Sequence, residues 1–218
     1  MATHSEIVSA IHGGEVDKVR ALLQADPSLA SAKDERGVSA LMHAYYRGRR
    51  DIADVILNAR TDLDVFEATA SGRAQRVSEI LDRDAAQAKA WSADGFTALH
   101  FAAFFNQPTI ARELVRRGAD VAAVSMNPME VTPLHSAAAA HATEIVRMLV
   151  ESDAPVNAKQ HGGWTALHSA ADNGDEEMVK ILLQHGADPL TQSDDGKTPA
   201  QIAQLKGRDK ALQLLSVA

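Results

Sequence analysis

Histidine is the residue type in this chain best suited to chemistry, because it titrates near neutrality, ligates metals and carries protons. There are nine: His4, His12, His43, His100, His135, His141, His161, His168 and His185. Three recur in one local context, Thr97-Ala98-Leu99-His100, Thr132-Pro133-Leu134-His135 and Thr165-Ala166-Leu167-His168, and a weaker copy reads Thr198-Pro199-Ala200-Gln201. The copies start 35, 33 and 33 residues apart, a period that means stacked structural repeats. Helices in such a stack lie about 10 Å apart, whereas zinc holds its nitrogens at about 2.1 Å. Histidines placed one per layer therefore cannot share an ion. The remaining six have no ligand-like spacing, and no serine-hydrolase elbow, zinc-protease, phosphate-loop or dinucleotide motif occurs. Gly13-Gly14 and Gly162-Gly163 read as turns, and Arg47-Gly48-Arg49-Arg50 as a solvated edge at a helix–helix turn. No catalytic residue, cofactor or metal is expected.

Composition narrows the class further. Hydrophobic residues make up 45% of the 218, and there is no cysteine, so disulfides and thiolate metal sites are excluded. The net charge of −7, from 22 basic and 29 acidic residues, argues against nonspecific nucleic-acid binding, which depends on phosphate neutralisation. Between Asp172 and Asp195 seven acids stand with Lys180 as the sole base, either a solvated face or a dock for a basic partner. The start Met1-Ala2-Thr3-His4-Ser5-Glu6 lacks a basic stretch followed by an apolar one, and no apolar run approaches the roughly 18–20 residues that span a membrane. A cytoplasmic, monomeric chain without membrane or nucleic-acid association is expected. Because a repeat array needs no common core, residues 1–218 are read as one elongated domain.

The elements that position these residues are legible in the copy from Trp164 to Gly196. Thr165 stands where a helix N-cap belongs, and Pro133 and Pro199 hold the first helical position in sister copies, where a missing N–H costs nothing. Leu167, Ala170 and Ala171 give a first helix a small apolar face, and Asn173-Gly174 ends it. Asp175 caps a second helix whose apolar face is Met178, Val179, Leu182 and Leu183, closed by His185-Gly186-Ala187-Asp188. Ser193-Asp194-Asp195-Gly196 has the composition of a projecting hairpin.

This pattern resembles the ankyrin repeat, whose signature includes a Thr-Pro-Leu-His-x-Ala-Ala opening and a Gly-Ala-Asp after the second helix. Gly118-Ala119-Asp120 and Gly186-Ala187-Asp188 match it fully, and Asp153-Ala154-Pro155-Val156-Asn157 loosely. The resemblance is specific over residues 95–204 and weaker before. It implies an all-α solenoid with short β-hairpin fingers, about seven helix–turn–helix repeats, and a histidine that bonds the turn linking adjacent repeats. Aligning the helices places repeat starts near residues 5, 39, 63, 97, 132, 165 and 198, the first and last being caps. The step from 39 to 63 is 24 residues, too short for a finger. Phe66 is expected in the histidine place of that repeat. The joint near residues 57–65 reads as a tolerated deletion or as a bend that exposes a groove.

The resemblance also implies protein binding, through finger tips and inner helices on the concave side. In this register those positions include Tyr46, Arg47, Phe96, Phe104, Phe105, Met129, Val131, Trp164, Asp172 and Asn173. Five of the nine aromatic residues fall among them, although Leu, Ile, Val and Ala suffice for the core. The finger Ser125-Met126-Asn127-Pro128-Met129-Glu130 is two residues longer than its sisters and carries two methionines, which adapt readily to apolar partners. The expected function is a non-catalytic scaffold, adaptor or stoichiometric regulator. Regulation of a co-expressed enzyme, or small-molecule or metal binding at the joint, stand as alternatives.

Overall fold

The computed structural model describes residues 3–60 and 62–216; residue 61, inside the expected joint, and the terminal pairs 1–2 and 217–218 lie outside the described residues. The described residues form paired helices: α1 (His4–Gly13) with α2 (Val16–Ala25), α3 (Ala40–Tyr46) with α4 (Arg50–Ala59), α5 (Val65–Ala70) with α6 (Ala74–Arg83), and α7 (Ala98–Phe104) with α8 (Pro108–Arg116). The series continues with α9 (Pro133–Ala139) and α10 (Thr143–Glu151), α11 (Ala166–Asn173) and α12 (Glu176–Gln184), and α13 (Pro199–Leu205) and α14 (Asp209–Ser216). Each odd-numbered helix packs on the next odd-numbered one, forming an inner row. One hydrophobic core runs the length of the stack, from Ile7 and Ile11 through Leu41, Leu99, Leu134 and Leu167 to Leu215. The inner helices are rich in fully buried alanine, such as Ala102, Ala137 and Ala170, which allows backbones to approach closely at little entropic cost.

Side-chain caps set where the inner helices begin. Ser39, Asp64, Thr97, Thr132, Thr165 and Thr198 are their N-caps. The third repeat thus starts at Asp64, one residue later than expected, and its steps are 25 and 33 residues. In that register the third residue of the helix is Glu67 rather than Phe66: its carboxylate accepts the Asp64 N–H at 3.2 Å. The first helix opens at Thr3, two residues before the expected Ser5.

The fingers are turns rather than strand-bearing hairpins; the bridges among the described residues are isolated ones, Lys33 to Ser39 and Trp91 to Thr97. Side chains take the bonds that a strand ladder would use. Ser92 Oγ accepts the Phe96 N–H at 3.0 Å, and Ser125 Oγ accepts the Val131 N–H at 3.0 Å. Asp34 Oδ1 accepts from Arg36 and Val38, each at 2.9 Å. Neighbouring fingers are joined by backbone bonds: Met126 N–H to Gly95 O at 2.9 Å, His161 N–H to Met129 O at 3.0 Å, and Asp194 N–H to Gly162 O at 2.9 Å. After α2 and α6 the chain makes 3₁₀ turns, Pro27–Ser31 and Ala85–Lys89, capped by Asp26 and Asp84, in place of the Gly-Ala-Asp turn.

The turn inside each helix pair needs a left-handed residue. Glycine supplies it at Gly14, Gly48, Gly72, Gly174 and Gly207, but Asn106 (φ 52°) and His141 (φ 56°) do so in the fourth and fifth pairs. An L-residue there costs about 1–2 kcal/mol, partly offset by the lower chain entropy it leaves to the unfolded state. His141 is exposed and touches no other role. His141→Gly is therefore expected to stabilise the fold by about 0.5–1 kcal/mol, read as a higher urea midpoint with an unchanged slope.

Candidate protein-binding surface

The recurrent histidines are interlocks between layers. In each, Nδ1 accepts the N–H of its own cap threonine, at 3.2 Å for His100 and 3.1 Å for His135 and His168. That bond fixes the neutral tautomer with the proton on Nε2, which donates to a carbonyl of the following finger. His100 reaches Val131 O at 3.0 Å, His135 reaches Ala158 O at 3.0 Å, and His168 reaches Lys197 O at 3.0 Å. Gln201 repeats the cap bond in the last repeat, its Oε1 2.9 Å from Thr198 N. Burial holds His100 down to about 4 and pushes His135 and His168 in the same direction, against the pull of their carbonyl partners.

At the third repeat the interlock is replaced. Glu67, 1% exposed, cannot donate to a carbonyl. It accepts from Arg60 instead, at 3.1 and 2.9 Å. Arg60 also donates to Ala30 O at 3.2 Å and Asp62 O at 2.8 Å. This repeat is thus tied backward to its predecessor rather than forward to its successor. The finger is absent, since α4 ends at Ala59 and α5 begins at Val65. The fingers on either side close over the vacancy: a Cβ on Gly37 would stand 3.1 Å from that of Ala93, and the Tyr46 hydroxyl donates to Asp94. Beneath them lies a gap of about 200 Å³ lined by Lys33, Val38, Met42, Asp64, Phe66 and Phe101 among others. On the outer side the deletion leaves a groove of about 500 Å³ between α4 and α6, bordered by Leu57, Leu63, Arg73 and Arg76.

The vacancy also accounts for part of the aromatic set. Phe101, Val38, Met42 and Ala70 form a second buried cluster, flanked by Tyr45, Phe66, Phe96 and Phe105. Ring centroids lie 5.9 Å apart for Phe66 and Phe101, and 5.6 Å for Phe96 and Phe101. Phe96 and Phe105 are therefore half-buried packing residues, and aromatic filling is needed where a finger is missing. Trp164 is also half-buried, its ring 5.6 Å from that of His168. Val131 is a correction: its side chain is 6% exposed and its carbonyl and N–H are bonded to His100 and Ser125, so it presents nothing to a partner. Asn173 commits its amide to Ala138 O at 2.9 Å, and Asp172 pairs with Lys206 at 3.0 Å. Arg47 is exposed. Tyr46, Phe104 and Met129 stay in water, joined by Met126 of the long finger. A second groove, of about 650 Å³, has Tyr45, Phe104, Phe105 and Ala140 along its apolar side. Tyr45 and Phe101 escaped the sequence reading, and Phe66 was expected in the histidine place instead, because their roles follow from the deletion, not from the period.

No cluster of three or more metal-ligating side chains exists among the described residues, and no helix among them is long and apolar enough to cross a membrane. Comparison with known proteins agrees with the interlocked geometry. Residues 94–126 match the model of the ankyrin repeat, and residues 122–193 and 154–217 match that of ankyrin repeats in three copies. The chain belongs to the ankyrin repeat family, whose repeats mediate protein–protein interaction. It is 31% identical over 158 residues to ankyrin repeat domain-containing protein SAT10 of Stachybotrys chartarum, covering 71% of this chain and 8% of that protein. It is 34% identical over 129 residues to ankyrin repeat and SAM domain-containing protein 6 of Danio rerio, covering 54% of this chain and 17% of that one. The chain thus spans a small fraction of the curated relatives it matches.

These interlocks set two expectations. Native His100 takes up no proton until about pH 4, whereas an unfolded histidine does so near 6.5. The stability of the neutral interlock is complete above pH 6.5 and is lost as pH falls from 6.5 toward 4, by about 3 kcal/mol for His100. The melting temperature is expected to drop over that window, and to drop less steeply in His100→Gln. At the joint, Arg60→Ala is expected to cost about 3–5 kcal/mol by stranding the buried Glu67 charge. Arg60→Ala with Glu67→Gln should recover roughly half, because glutamine keeps the cap bond as Gln201 does; chemical denaturation measures both.

Proposed function

We propose that this chain is a non-catalytic binding module for another protein, a scaffold, adaptor or stoichiometric regulator that works as a cytoplasmic monomer. Its recognition surface is the concave row of finger tips and inner-helix ends. One observation carries this reading: large apolar side chains stand in water along that row, with Tyr46 41%, Phe104 49%, Met129 55% and Met126 70% exposed. Contiguous exposed apolar side chains mark interaction sites in monomers, and aromatic anchors dominate binding energy at interfaces. Phe96, Phe105 and Trp164 support the row from below, and Arg47 and Asp172 add charge toward its two ends. The stack is rigid before the partner arrives, so little ordering entropy opposes docking.

The test is quantitative affinity capture from native cells with the wild-type chain and with Phe104→Ala/Met129→Ala. Both residues are exposed, so circular dichroism and melting temperature should hold, while the amount of specifically captured protein should fall at least tenfold, as expected when two anchors are truncated. Equal capture by the two chains would refute this surface.

A further inference from the structure

The interlocking histidines leave one pair unaccounted for. His12 on α1 and His43 on α3 are 31 residues apart in sequence, and the stacking of the first two repeats brings His12 Nε2 to 3.1 Å from His43 Nδ1. The rings meet edge to face, centroids 4.9 Å apart. The second nitrogen of His43, Nε2, lies 3.1 Å from Asp34 Oδ2, and the other Asp34 oxygen is pinned by the N–H groups of Arg36 and Val38 at 2.9 Å each. His43 is 7% exposed. Its orientation and tautomer are therefore fixed: Nε2–H donates to Asp34, and the Nδ1 lone pair points at His12.

A histidine whose far N–H is held by a carboxylate is the arrangement found around protein-bound metals, where the carboxylate orients the ring and raises its basicity. Two nitrogens at about 2.05 Å on one tetrahedral ion stand roughly 3.3–3.4 Å apart, close to the observed 3.1 Å, and His12 must swing aside so that its lone pair meets that of His43 at the ion. His12 is exposed and can tilt. Its side of the pair opens on a groove of about 670 Å³ lined by His4, Ser5, Ser9, Asp34 and Glu35 among others, which leaves room for water on the remaining coordination positions.

We propose that His12 and His43 bind one divalent imidazole-seeking transition metal, zinc or its late first-row neighbours, through His12 Nε2 and His43 Nδ1, with Asp34 as the carboxylate that orients His43. On binding, neutral His12 moves its proton from Nε2 to Nδ1, and His43 keeps its own on Nε2, so no base is needed. The ion replaces a hydrogen bond between the N-terminal cap and the second repeat with a stronger cross-link. Lys33, Glu35 and Arg36 are the other charged groups on the groove. The site is separate from the aromatic row, and its failure would leave the binding function untouched.

The test uses the tag-free full chain titrated with zinc chloride by calorimetry and with cobalt chloride by absorption. One ion per chain is expected, with a rise in melting temperature of several degrees at saturation, since a ligand of the folded state stabilises it. His12→Ala, which changes an exposed residue, should weaken binding at least tenfold with circular dichroism unchanged, and Asp34→Asn about tenfold. His4→Ala should bind like the parent. Absence of saturable binding up to about 1 mM zinc, or affinity unchanged in His12→Ala, would overturn the proposal.

Discussion

The hydrogen bond from a buried imidazole to the carbonyl of the next finger is the constraint on which the stack depends. A helix pair of this size cannot bury its apolar stripe alone, so each repeat is stable only in register with its neighbours. His100, His135 and His168 set that register by spending both ring nitrogens on backbone, one within the repeat and one beyond it. A protonated ring could not accept from the cap threonine, and an empty site would leave the threonine N–H unpaired in the interior, which is costly. The same geometry that makes these histidines structural makes them unavailable for catalysis or for metals.

The third repeat solves the same problem with different chemistry. The repeat whose following finger is missing is the second, and its histidine place, three residues after the Ser39 cap, is taken by Met42, which packs in the aromatic cluster; in the third repeat that place is taken by Glu67 with Arg60 as its partner. An ion pair of this kind adds little net stability over an apolar filling but punishes any mismatch severely, so it specifies the joint more than it strengthens it. The void left by the finger is filled from three directions by Phe66, Phe96 and Phe101. Tyr46 adds a hydroxyl bond to Asp94 across the deletion. The aromatic residues of this chain therefore divide by geometry: those facing the vacancy pack, Tyr46 bridges it while 41% exposed, and Phe104, beyond it, is 49% exposed.

Much of the fold was legible in the sequence because Thr-x-Leu-His and its glycine-ended helices recur at a fixed period, and each copy carries its own caps. The shortened step near residue 60 was legible as arithmetic. What filled it was not. Glu67 and Arg60 are ordinary surface residue types on any sequence scale, and only the register fixed by the Asp64 cap shows that Glu67 takes the histidine place. Val131 reads as a finger-tip residue by position, yet the place just before the cap is the base of the finger, where Val38 is buried as well. His12 and His43 lack ligand spacing along the chain, because a pairing between layers has the repeat length as its spacing and looks like no motif at all.

The direction of these ties has a consequence for how the molecule assembles as it is synthesised. A histidine tie needs a carbonyl that emerges from the ribosome some thirty residues later: His100 waits for Val131, and His168 for Lys197. The Arg60 tie needs only Ala30 and Glu67, both already made or about to be. The first three helix pairs can therefore lock as a block while the rest of the chain is still being translated. Each later repeat is then added to a finished template, one tie at a time, in the N-to-C order in which nascent chains fold.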